Sequence, residues 1–366
     1  MKEIRPDELE LLSKDSYILI DLRDEVSFNN GRLPGAVRLS ESLVIEQYKE
    51  YEGDKTLIIY CLRGEASRRV VEELEEYDVE AVSLKGGYNA WLLNKIQKEE
   101  IKDNIDECIT SLYNEKIYTK FEKAIKDYQL ISAKDKIAVC ISGGKDSMLM
   151  AKLFMILKSK NEYDFEPVFL VMDPGYNSFN RKVIENNAKK LEIPIEIFET
   201  QIFDSVDNIE KSPCYICARM RRGYLYNEAK LRGCNKIALG HHYDDVIETI
   251  LMGMLYGGQV QTMMPKLRST NFEGMELIRP LYYIREDDII DFRDYNGLNF
   301  IQCACHFTET CETCHTDGTT SSKRLETKKL IARLKNDIPD VEENIFRSVE
   351  NVNLNGIVKY KNKKGE

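Results

Sequence analysis

Short apolar runs alternate with amphipathic segments along the first hundred residues. Apolar runs bounded by polar residues predict strands at Tyr17–Ile20, Thr56–Tyr60 and Ala81–Leu84. Apolar residues at helical spacing predict a helix from about Ala66 to Tyr77. Strands and helices in this order are typical of a small α/β domain.

A polar segment with helical periodicity follows, from about Asn94 to Asp135. We interpret it as a connector plus a helix that belongs to a second domain. Its apolar positions recur at helical spacing and are Ile109, Leu112, Ile117, Phe121, Ile125 and Tyr128.

Strand and helix patterns alternate again from Lys136. The predicted strands are Ile137–Ile141, Val168–Val171, Ile193–Phe198 and Lys236–Leu239. Two helices are predicted at Arg181–Leu191 and Asp245–Met254, and two more begin at Asp146 and at about Cys217. Strands separated by helices indicate a doubly wound parallel sheet covered on both faces. The predicted fold class is therefore α/β, with domains at 1–98 and 135–345, a helical connector at 99–134 and a tail at 346–366.

Length and charge limit the classes of protein. A chain of 366 residues favours two domains, because single cores rarely grow past roughly 250–300 residues. No run of about 18 apolar residues is present to span a bilayer, and the first residues do not resemble a signal peptide. We therefore expect a cytoplasmic protein with no membrane partner. The net charge of −10 argues against indiscriminate nucleic-acid binding. Residues 1–100 hold most of this excess, with 14 Lys and Arg against 22 Asp and Glu.

The ten cysteines call for an explanation other than disulfides, because the cytoplasm keeps thiols reduced. Metal binding or sulfur chemistry is the expected alternative. Six of them form two tight groups, which are Cys214 and Cys217 followed by Cys303, Cys305, Cys311 and Cys314.

Cys61 follows a predicted buried strand and precedes a predicted helix. Backbone N–H groups and the helix N-terminus favour the thiolate there, and Arg63 and Arg68 add positive charge. A buried structural cysteine is the alternative. The surrounding motifs resemble the single-domain rhodanese family over about residues 5–95: Asp21-Leu-Arg23, Leu33-Pro-Gly-Ala-Val37, Tyr60-Cys61 and Lys85-Gly-Gly-Tyr-Asn-Ala-Trp91.

The rhodanese resemblance implies that Cys61 is catalytic and carries a persulfide cradled by the amides of its loop. Glu65-Ala-Ser67 departs from the usual loop of the family. The sulfur donor therefore stays open between a cysteine desulfurase persulfide and thiosulfate.

The run Ser142-Gly143-Gly144-Lys145-Asp146-Ser147 follows a predicted strand and opens a helix. Its glycines let the backbone approach phosphate oxygens, while Lys145 and the helix N-terminus supply positive potential. Asp146 is a candidate ligand for Mg²⁺, and a simple strand-to-helix cap is the alternative. The run resembles the PP-loop of the ATP pyrophosphatase superfamily (adenine nucleotide alpha hydrolase-like fold). That resemblance implies ATP as a cofactor and the adenylation of an oxygen with release of pyrophosphate.

Cys214 and Cys217 are three residues apart at the start of a predicted helix, so one face can present both sulfurs to a metal centre. A redox dithiol or half of a zinc site remains an alternative. Cys303 and Cys305 follow the last strand-like element and can close the same site.

The second domain is similar to the TtcA family of tRNA 2-thiocytidine synthetases over about residues 115–310. The matching stretches are Lys120–Ile131, Cys214–Tyr226, Lys236–His242, Asp244-Asp245, Tyr256-Gly-Gly258, Pro265-Lys-Leu267 and Arg279-Pro-Leu281. This similarity implies thiolation of C2 of an anticodon-loop cytidine in tRNA, with a [4Fe–4S] cluster held by three cysteines. Two ligands map to Cys214 and Cys217. The third maps to Cys305 in preference to Cys303, where the Cys-Ala-Cys spacing departs from the family.

Other residues have less decisive interpretations. The resemblance places Gly240 and His241 near the nucleotide, with helix capping as the other role expected of this segment. Asp173-Pro-Gly-Tyr176 lines a base pocket or forms a plain turn. One helix carries residues suited to RNA contact and base stacking, or to a solvated face: Arg219, Arg221, Arg222, Tyr224 and Tyr226.

Several functional alternatives stay open. Cys311 and Cys314, which precede His315, form a zinc clip with Cys303 or His306, relay sulfur or have no role. The same machinery can act on a uridine or another substrate, and a sulfur-carrier or redox module that binds nucleotide only for regulation is a rival from another class. The expected partners are tRNA and a sulfur donor. A homodimer is one candidate for the oligomeric state.

Overall fold

The computed structural model describes residues 2–47, 55–98, 104–202, 213–300 and 323–359. Within them, two sheets form, each accompanied by helices. The strands of one sheet all lie between residues 3 and 84, and those of the other between 135 and 278. This arrangement confirms the predicted α/β fold class.

The N-terminal sheet has five parallel strands in the order β1-β5-β4-β2-β3. They are β1 (Glu3–Ile4), β2 (Tyr17–Asp21), β3 (Val37–Arg38), β4 (Thr56–Tyr60) and β5 (Ala81–Leu84). The helices are α1 (Pro6–Leu9), α2 (Glu25–Asn30), α3 (Glu41–Glu46), α4 (Glu65–Glu75) and α5 (Gly87–Lys98). The predictions for β4 and β5 are confirmed without a change of bounds.

The second sheet has six strands in the order β10-β11-β9-β6-β7-β8, and only the β10–β11 pair is antiparallel. They are β6 (Asp135–Ile141), β7 (Phe165–Asp173), β8 (Ile195–Glu199), β9 (Lys236–Ala238), β10 (Lys266–Arg268) and β11 (Glu276–Ile278). The four predicted strands correspond to β6, β7, β8 and β9. The prediction lacked β10 and β11.

The remaining helical segments precede, flank or follow this sheet. In chain order they are α6 (Ile105–Thr110), a π-helical turn (Asn114–Tyr118), α7 (Thr119–Asp127), α8 (Lys145–Ser159), α9 (Ser178–Lys190), α10 (Pro213–Leu231), α11 (Tyr243–Gly257), α12 (Glu286–Tyr295), α13 (Lys323–Asp337), α14 (Val341–Arg347) and a 3₁₀ turn (Leu354–Gly356). Among the described residues, none of the helices is both long and apolar enough to cross a membrane.

Side chains of β6 alternate between two separate hydrophobic cores. Ile137, Val139 and Ile141 belong to the larger core, whereas Ala138 and Cys140 belong to the smaller core on the other face. Successive side chains of a strand point to opposite faces, so both faces of this sheet must be covered. The alternation therefore explains the near-continuous apolar run in the sequence.

The two sheets are joined by one continuous core. Trp91 and Leu92 of α5 belong to the same cluster of buried side chains as Val183 and Ile184 of α9, and these two helices pack together. The N-terminal domain is therefore packed against the second domain rather than merely tethered to it.

The segment predicted as a connector also enters this core. Ile109 and Ile117 are fully buried, whereas Leu112 is 57% exposed. Helix α6 ends at Thr110 and a turn follows it, which changes the phase of the helical pattern. The expectation that Leu112 shares the buried face is therefore wrong.

Part of the predicted tail is ordered against the domain. Phe346 is buried, and its ring stacks on Tyr243 of α11 with centroids 4.5 Å apart. The core thus extends past the position at which the sequence predicts the tail to begin.

Candidate functional site

Cys61 lies directly after β4, in the loop that leads into α4. Its Sγ accepts a hydrogen bond from the Gly64 N–H at 3.1 Å, and the Ser67 hydroxyl lies 3.6 Å from it. Gly64 adopts a φ of 94°, a conformation that glycine tolerates and that the tight loop requires. The loop therefore offers hydrogen-bond donors to a nearly buried sulfur.

The loop after β5 closes against the Cys61 loop. The Tyr88 N–H donates to the Cys61 carbonyl at 2.8 Å. A Cβ at Gly87 would lie 2.4 Å from that same carbonyl oxygen, so only glycine fits. This contact gives the Lys85-Gly-Gly run a physical role in supporting the sulfur site.

A buried ion pair holds Tyr88 from the other side. The Arg23 guanidinium lies 2.6 Å from a carboxylate oxygen of Asp21 and 3.7 Å from the centre of the Tyr88 ring. Arg23 and Asp21 are both almost fully buried, so each needs the other as a charge partner. The Asp-Leu-Arg motif thus supports the backbone contact to Cys61.

The PP-loop residues form a tight turn between β6 and α8. Gly143 has a φ of 86°, which favours glycine. The Ser147 hydroxyl donates to the Gly144 carbonyl at 3.0 Å and accepts from the Ser142 N–H at 3.1 Å. The two serine hydroxyls also lie 3.1 Å apart. The turn is therefore shaped before any ligand binds, and its amides stand at the N-terminus of a fifteen-residue helix.

Lys145 is held at this turn by two carboxylates. Its Nζ lies 3.0 Å from Glu286 and 3.1 Å from Asp146. Burial opposes the charge, but Asp146 and Glu286 together raise the pKa of Lys145 above its ordinary value. Oδ1 of Asp146 is buried; it is the oxygen in the 3.1 Å ion pair with Lys145, but it accepts no hydrogen bond from the described residues.

Parallel strands bring further residues to the same edge. Strand β9 neighbours β6, so the loop after β9 meets the PP-loop. A Cβ at Gly240 would lie 3.2 Å from backbone atoms of Asp146 and Ser147. The structure therefore brings Gly240 into direct contact with the start of α8.

The two histidines that follow Gly240 differ in burial and in their contacts: His241 is half-buried and His242 is buried. Burial, followed by the charge of Arg279, lowers the pKa of His241 to about 4, so this ring is neutral at pH 7. Its Nδ1 has no hydrogen-bond partner among the described residues. The N–H of His242 donates to the Asp245 carboxylate at 3.2 Å, which confirms the expected helix cap. Asp244 instead accepts from the Glu286 N–H at the start of α12, at 2.6 Å.

Helix α13 supplies charged residues that the sequence analysis missed. Lys328 contacts Glu286, and Arg324 contacts Asp245 and lies 3.7 Å from Glu248. Burial raises the pKa of Glu248 to about 7, although Arg324 opposes this. No local signal marks these residues, because only the tertiary fold brings α13 to α11 and α12.

The predicted cluster ligands are only partly described. Cys217 is buried near the start of α10, in a small core with Met172 and Ile202. Cys214 lies one turn earlier on the same helix, where only its backbone is described. Cys303 and Cys305 lie outside the described residues, as do Cys311, Cys314 and His315. Within the described ranges, no group of three or more potential ligands gathers around one point.

Of the two aromatic residues of α10 that were predicted to contact RNA or to lie on a solvated face, Tyr226 differs from the prediction and Tyr224 does not. Tyr226 is buried and stacks on Phe272 with ring centroids 4.8 Å apart, so it is not available to an extruded base. Tyr224 is 41% exposed. Asp173 accepts hydrogen bonds from the Gly175 and Tyr176 amides, which supports the plain-turn interpretation of that segment.

Both halves of the chain match known protein families. Residues 113–306 match the PP-loop domain family, and residues 6–94 match the rhodanese-like domain family. The chain is similar to proteins named tRNA-cytidine(32) 2-sulfurtransferase. The protein from Anaeromyxobacter dehalogenans (strain 2CP-C) is 35% identical over 233 residues, which cover 63% of this chain and 77% of the relative. The protein from Geobacter sulfurreducens is 34% identical over 249 residues, covering 67% and 93%.

One solved structure shares the fold of the second domain. It is the U34-tRNA thiolase NcsA from Methanococcus maripaludis with its [4Fe-4S] cluster, with a TM-score of 0.50 and 21% sequence identity. The match covers 67% of this chain and 80% of that protein.

Proposed function

Since this chain belongs to the tRNA-cytidine 2-sulfurtransferase family of PP-loop proteins and carries a rhodanese-like domain in front of it, we propose that it thiolates C2 of an anticodon-loop cytidine in tRNA. ATP activates the base, and Cys61 supplies the sulfur. The observation that supports this most is the preformed turn Ser142–Ser147 with Gly240 packed against it. We propose the cytoplasm as the site of this activity, because thiols such as those of Cys61 and Cys140 stay reduced there.

In this proposal the edge formed by the PP-loop binds ATP. The amides of Gly143 and Gly144 and the ammonium of Lys145 contact phosphate oxygens. Asp146 is the proposed Mg²⁺ ligand, because its buried Oδ1 accepts no hydrogen bond from the described residues and stands at the phosphate edge beside the Lys145 ammonium, 3.1 Å away. His241 is neutral and accompanies Gly240 on the far side of the turn.

The proposed chemistry has two displacements. The C2 carbonyl oxygen of the cytidine attacks the α-phosphorus of ATP, and the bond to pyrophosphate breaks. Sulfur then attacks C2, and the bond from C2 to the adenylated oxygen breaks, so that AMP leaves with that oxygen. Lys145 stabilises the negative charge that develops on the phosphates during the first step, and Mg²⁺, when bound by Asp146, would supply further positive charge there.

Cys61 is the proposed carrier of that sulfur as a persulfide. The Gly64 N–H that contacts its Sγ at 3.1 Å belongs to the loop that would hold the outer sulfur. Release of that sulfur as sulfide requires two electrons, which a thiol reductant supplies. Cysteine desulfurase persulfide and thiosulfate are the proposed donors.

A [4Fe–4S] cluster is the proposed second cofactor. Cys214 and Cys217 would hold it with Cys305, or with Cys303 in its place. The buried position of Cys217 beside Met172 suits a cluster ligand, because burial protects such a centre from solvent. When bound, the cluster would supply an iron that is free to bind sulfide.

The central test is the tRNA product. We expect the purified chain with ATP, Mg²⁺, sulfide and an unmodified tRNA transcript to release AMP and to form 2-thiocytidine, read by mass spectrometry of the nucleosides. The fold shared with a U34 thiolase makes 2-thiouridine the second candidate product, which the same spectrum distinguishes. AMP release without any thiolated nucleoside would contradict both candidates.

Replacement of Cys61 tests the sulfur carrier. Cys61→Ser should abolish persulfide formation and thiosulfate turnover but leave thiolation intact when free sulfide is supplied. Cys140→Ala is the matched control, because burial raises the pKa of the Cys140 thiol to about 12 and leaves it inert. Persulfide labelling that persists in Cys61→Ser would refute the assignment.

Replacement of Cys214 tests the cluster. Cys214→Ala should lose iron and thiolation while Cys61 is still persulfidated. A variant that thiolates normally without iron would remove the cluster from the reaction. The division into domains 1–98 and 135–345, with segments 99–134 and 346–366, and a homodimeric assembly remain part of this proposal, and light scattering of the purified chain measures the assembly.

A further inference from the structure

Arg279 stands at the same sheet edge as the PP-loop. It follows the last residue of β11, and β11, β9 and β6 are adjacent parallel strands. Parallel strands end at the same edge of a sheet, so the loops that begin at Arg279, Leu239 and Ser142 emerge side by side. Arg279 therefore occupies the position next to Gly240 and His241, one strand further from the PP-loop.

The guanidinium of Arg279 is buried without a carboxylate partner. The residue is 8% exposed, and among the described residues no Asp or Glu lies within ion-pair distance of it. Its Nη1 donates to the carbonyl of Met264, and its backbone N–H donates to the carbonyl of Pro265 at 2.9 Å. Its Nε is sealed from water and has no acceptor in the described structure.

The charged groups near Arg279 do not balance the positive charge of its guanidinium. Burial, followed by the charge of Arg222, lowers the pKa of Arg279 to about 10, so the group still carries its charge at pH 7. Asp245, Tyr282 and Tyr226 oppose this effect only in part. A buried guanidinium without an anion is costly, which makes a structural role alone a poor explanation for it.

We propose that Arg279 binds a phosphate group that is brought to this edge by the substrates. The idea rests on the proposed function, since a nucleotide and an RNA both supply phosphates. A planar guanidinium with an unused N–H fits a phosphate better than a point charge does. Arg222 belongs to α10, the helix that carries Cys214 and Cys217, so a phosphate at Arg279 lies between the nucleotide loop and that helix.

Two sources of this phosphate can be distinguished by binding measurements. If Arg279 contacts the nucleotide, Arg279→Gln should weaken ATP binding about 10- to 100-fold in calorimetry and leave tRNA binding unchanged. If it contacts the RNA backbone, ATP binding should be unchanged. The affinity for an unmodified tRNA transcript should then fall, and its salt dependence should lose about one counterion.

The matched control is Arg268→Gln. Arg268 lies on the adjacent strand β10, and its side chain is 91% exposed. The control should leave ATP binding unchanged and alter tRNA binding less than Arg279→Gln does. If both variants bind ATP and tRNA as the unaltered chain does, the inference is overturned.

A loss of folding must be separated from a loss of binding. Because Arg279→Gln removes an uncompensated buried charge, its melting temperature without ligand should equal or exceed that of the unaltered chain. If this variant does not fold, Arg279→Lys carries the same test: weaker binding of either ligand supports the inference, and unchanged binding of both overturns it.

These binding measurements do not require turnover. A chain that binds both ligands through Arg279 but never thiolates tRNA would contradict the proposed function and leave this inference standing.

Discussion

Gly240 shows how closely the nucleotide edge is packed at the scale of single residues. Backbone atoms of Asp146 and Ser147 lie 3.2 Å from where a Cβ would stand. Backbone cannot move aside as the end of a flexible side chain can. The start of α8 and the loop after β9 therefore fix one another's positions.

Gly240→Ala should displace the start of α8 by a few tenths of an ångström. We expect kcat/KM for ATP to fall about tenfold or more, because small misplacements of binding groups are costly. Gly257→Ala is the control, since nothing lies within 4 Å of a Cβ at that helical position and it should leave the kinetics unchanged. Equal kinetics for both variants would show that the edge is not tightly packed.

Glu286 makes the stability of the same edge depend on pH. Burial opposes its ionisation, but Lys145 and Lys328 lower the pKa of Glu286 to about 2 from an ordinary 4.5. A carboxylate with a lowered pKa in the folded state stabilises the fold above its unfolded value and loses this effect as the pH falls. The contribution of Glu286 is therefore complete above about pH 4.5 and disappears between pH 4.5 and 2.

Glu286→Gln should remove this part of the acid dependence. We expect a lower melting temperature than that of the unaltered chain at pH 6, with the difference shrinking as the pH approaches 3. Asp287→Asn alters the exposed neighbour in α12 and serves as the control. A constant difference in melting temperature across this range would exclude the ion pairs as its cause.

At the scale of elements, α10 has two faces with different tasks. Tyr226 points into the smaller core and stacks on Phe272, whereas Tyr224, two residues away, remains exposed. Residues two apart on a helix do not share a face. Only the face with Tyr224 is available to a partner such as RNA.

Tyr226→Ala should therefore destabilise the fold rather than act on a ligand. Urea unfolding should show a loss of about 3–5 kcal/mol, as for other large aromatic side chains removed from a core. Tyr224→Ala should change the free energy of unfolding by less than about 0.5 kcal/mol. Similar losses for both variants would contradict this division of the helix.

The sequence predicted those elements whose signals are local. Thr56–Tyr60 and Ala81–Leu84 are short apolar runs with polar residues at their ends. The two adjacent glycines of Ser142–Ser147 predict a turn. Strands β10 and β11 have only three residues each, as β9 has, but β9 is buried throughout, whereas β10 and β11 carry half-buried or exposed charged residues that interrupt the apolar run. Glu286 reaches Lys145 across 141 positions of sequence, and no local pattern reports such a contact.

At the scale of the whole molecule, the rhodanese-like domain and the PP-loop domain share one hydrophobic core. Trp91 of α5 is 8% exposed and belongs to the same cluster as Val183 and Ile184 of α9. Domains joined by such a core should not unfold independently. Cys61 is therefore held in a fixed relation to the second domain.

Calorimetry of the intact chain should show a single unfolding transition. Trp91→Ala should lower the melting temperature of the whole transition, because it opens a cavity in the shared core. Lys95→Ala, one helical turn further along α5, removes the ammonium that lies 5.3 Å from the centre of the Trp91 ring but leaves the ring in the core, so as the control it should have a much smaller effect. Two resolved transitions in the unaltered chain would show that the domains are energetically separate.

The positions of the two sheets along the sequence also have a consequence for the synthesis of the chain. Every strand around Cys61 lies within the first 84 residues, so that sheet can form while the ribosome is still making the rest. The residues of the PP-loop edge, in contrast, come from distant parts of the sequence and are synthesised at different times. The PP-loop begins at Ser142, whereas Arg279 and Lys328 of α13 are synthesised much later. All five strands of the rhodanese-like sheet are therefore synthesised before any residue of the PP-loop edge.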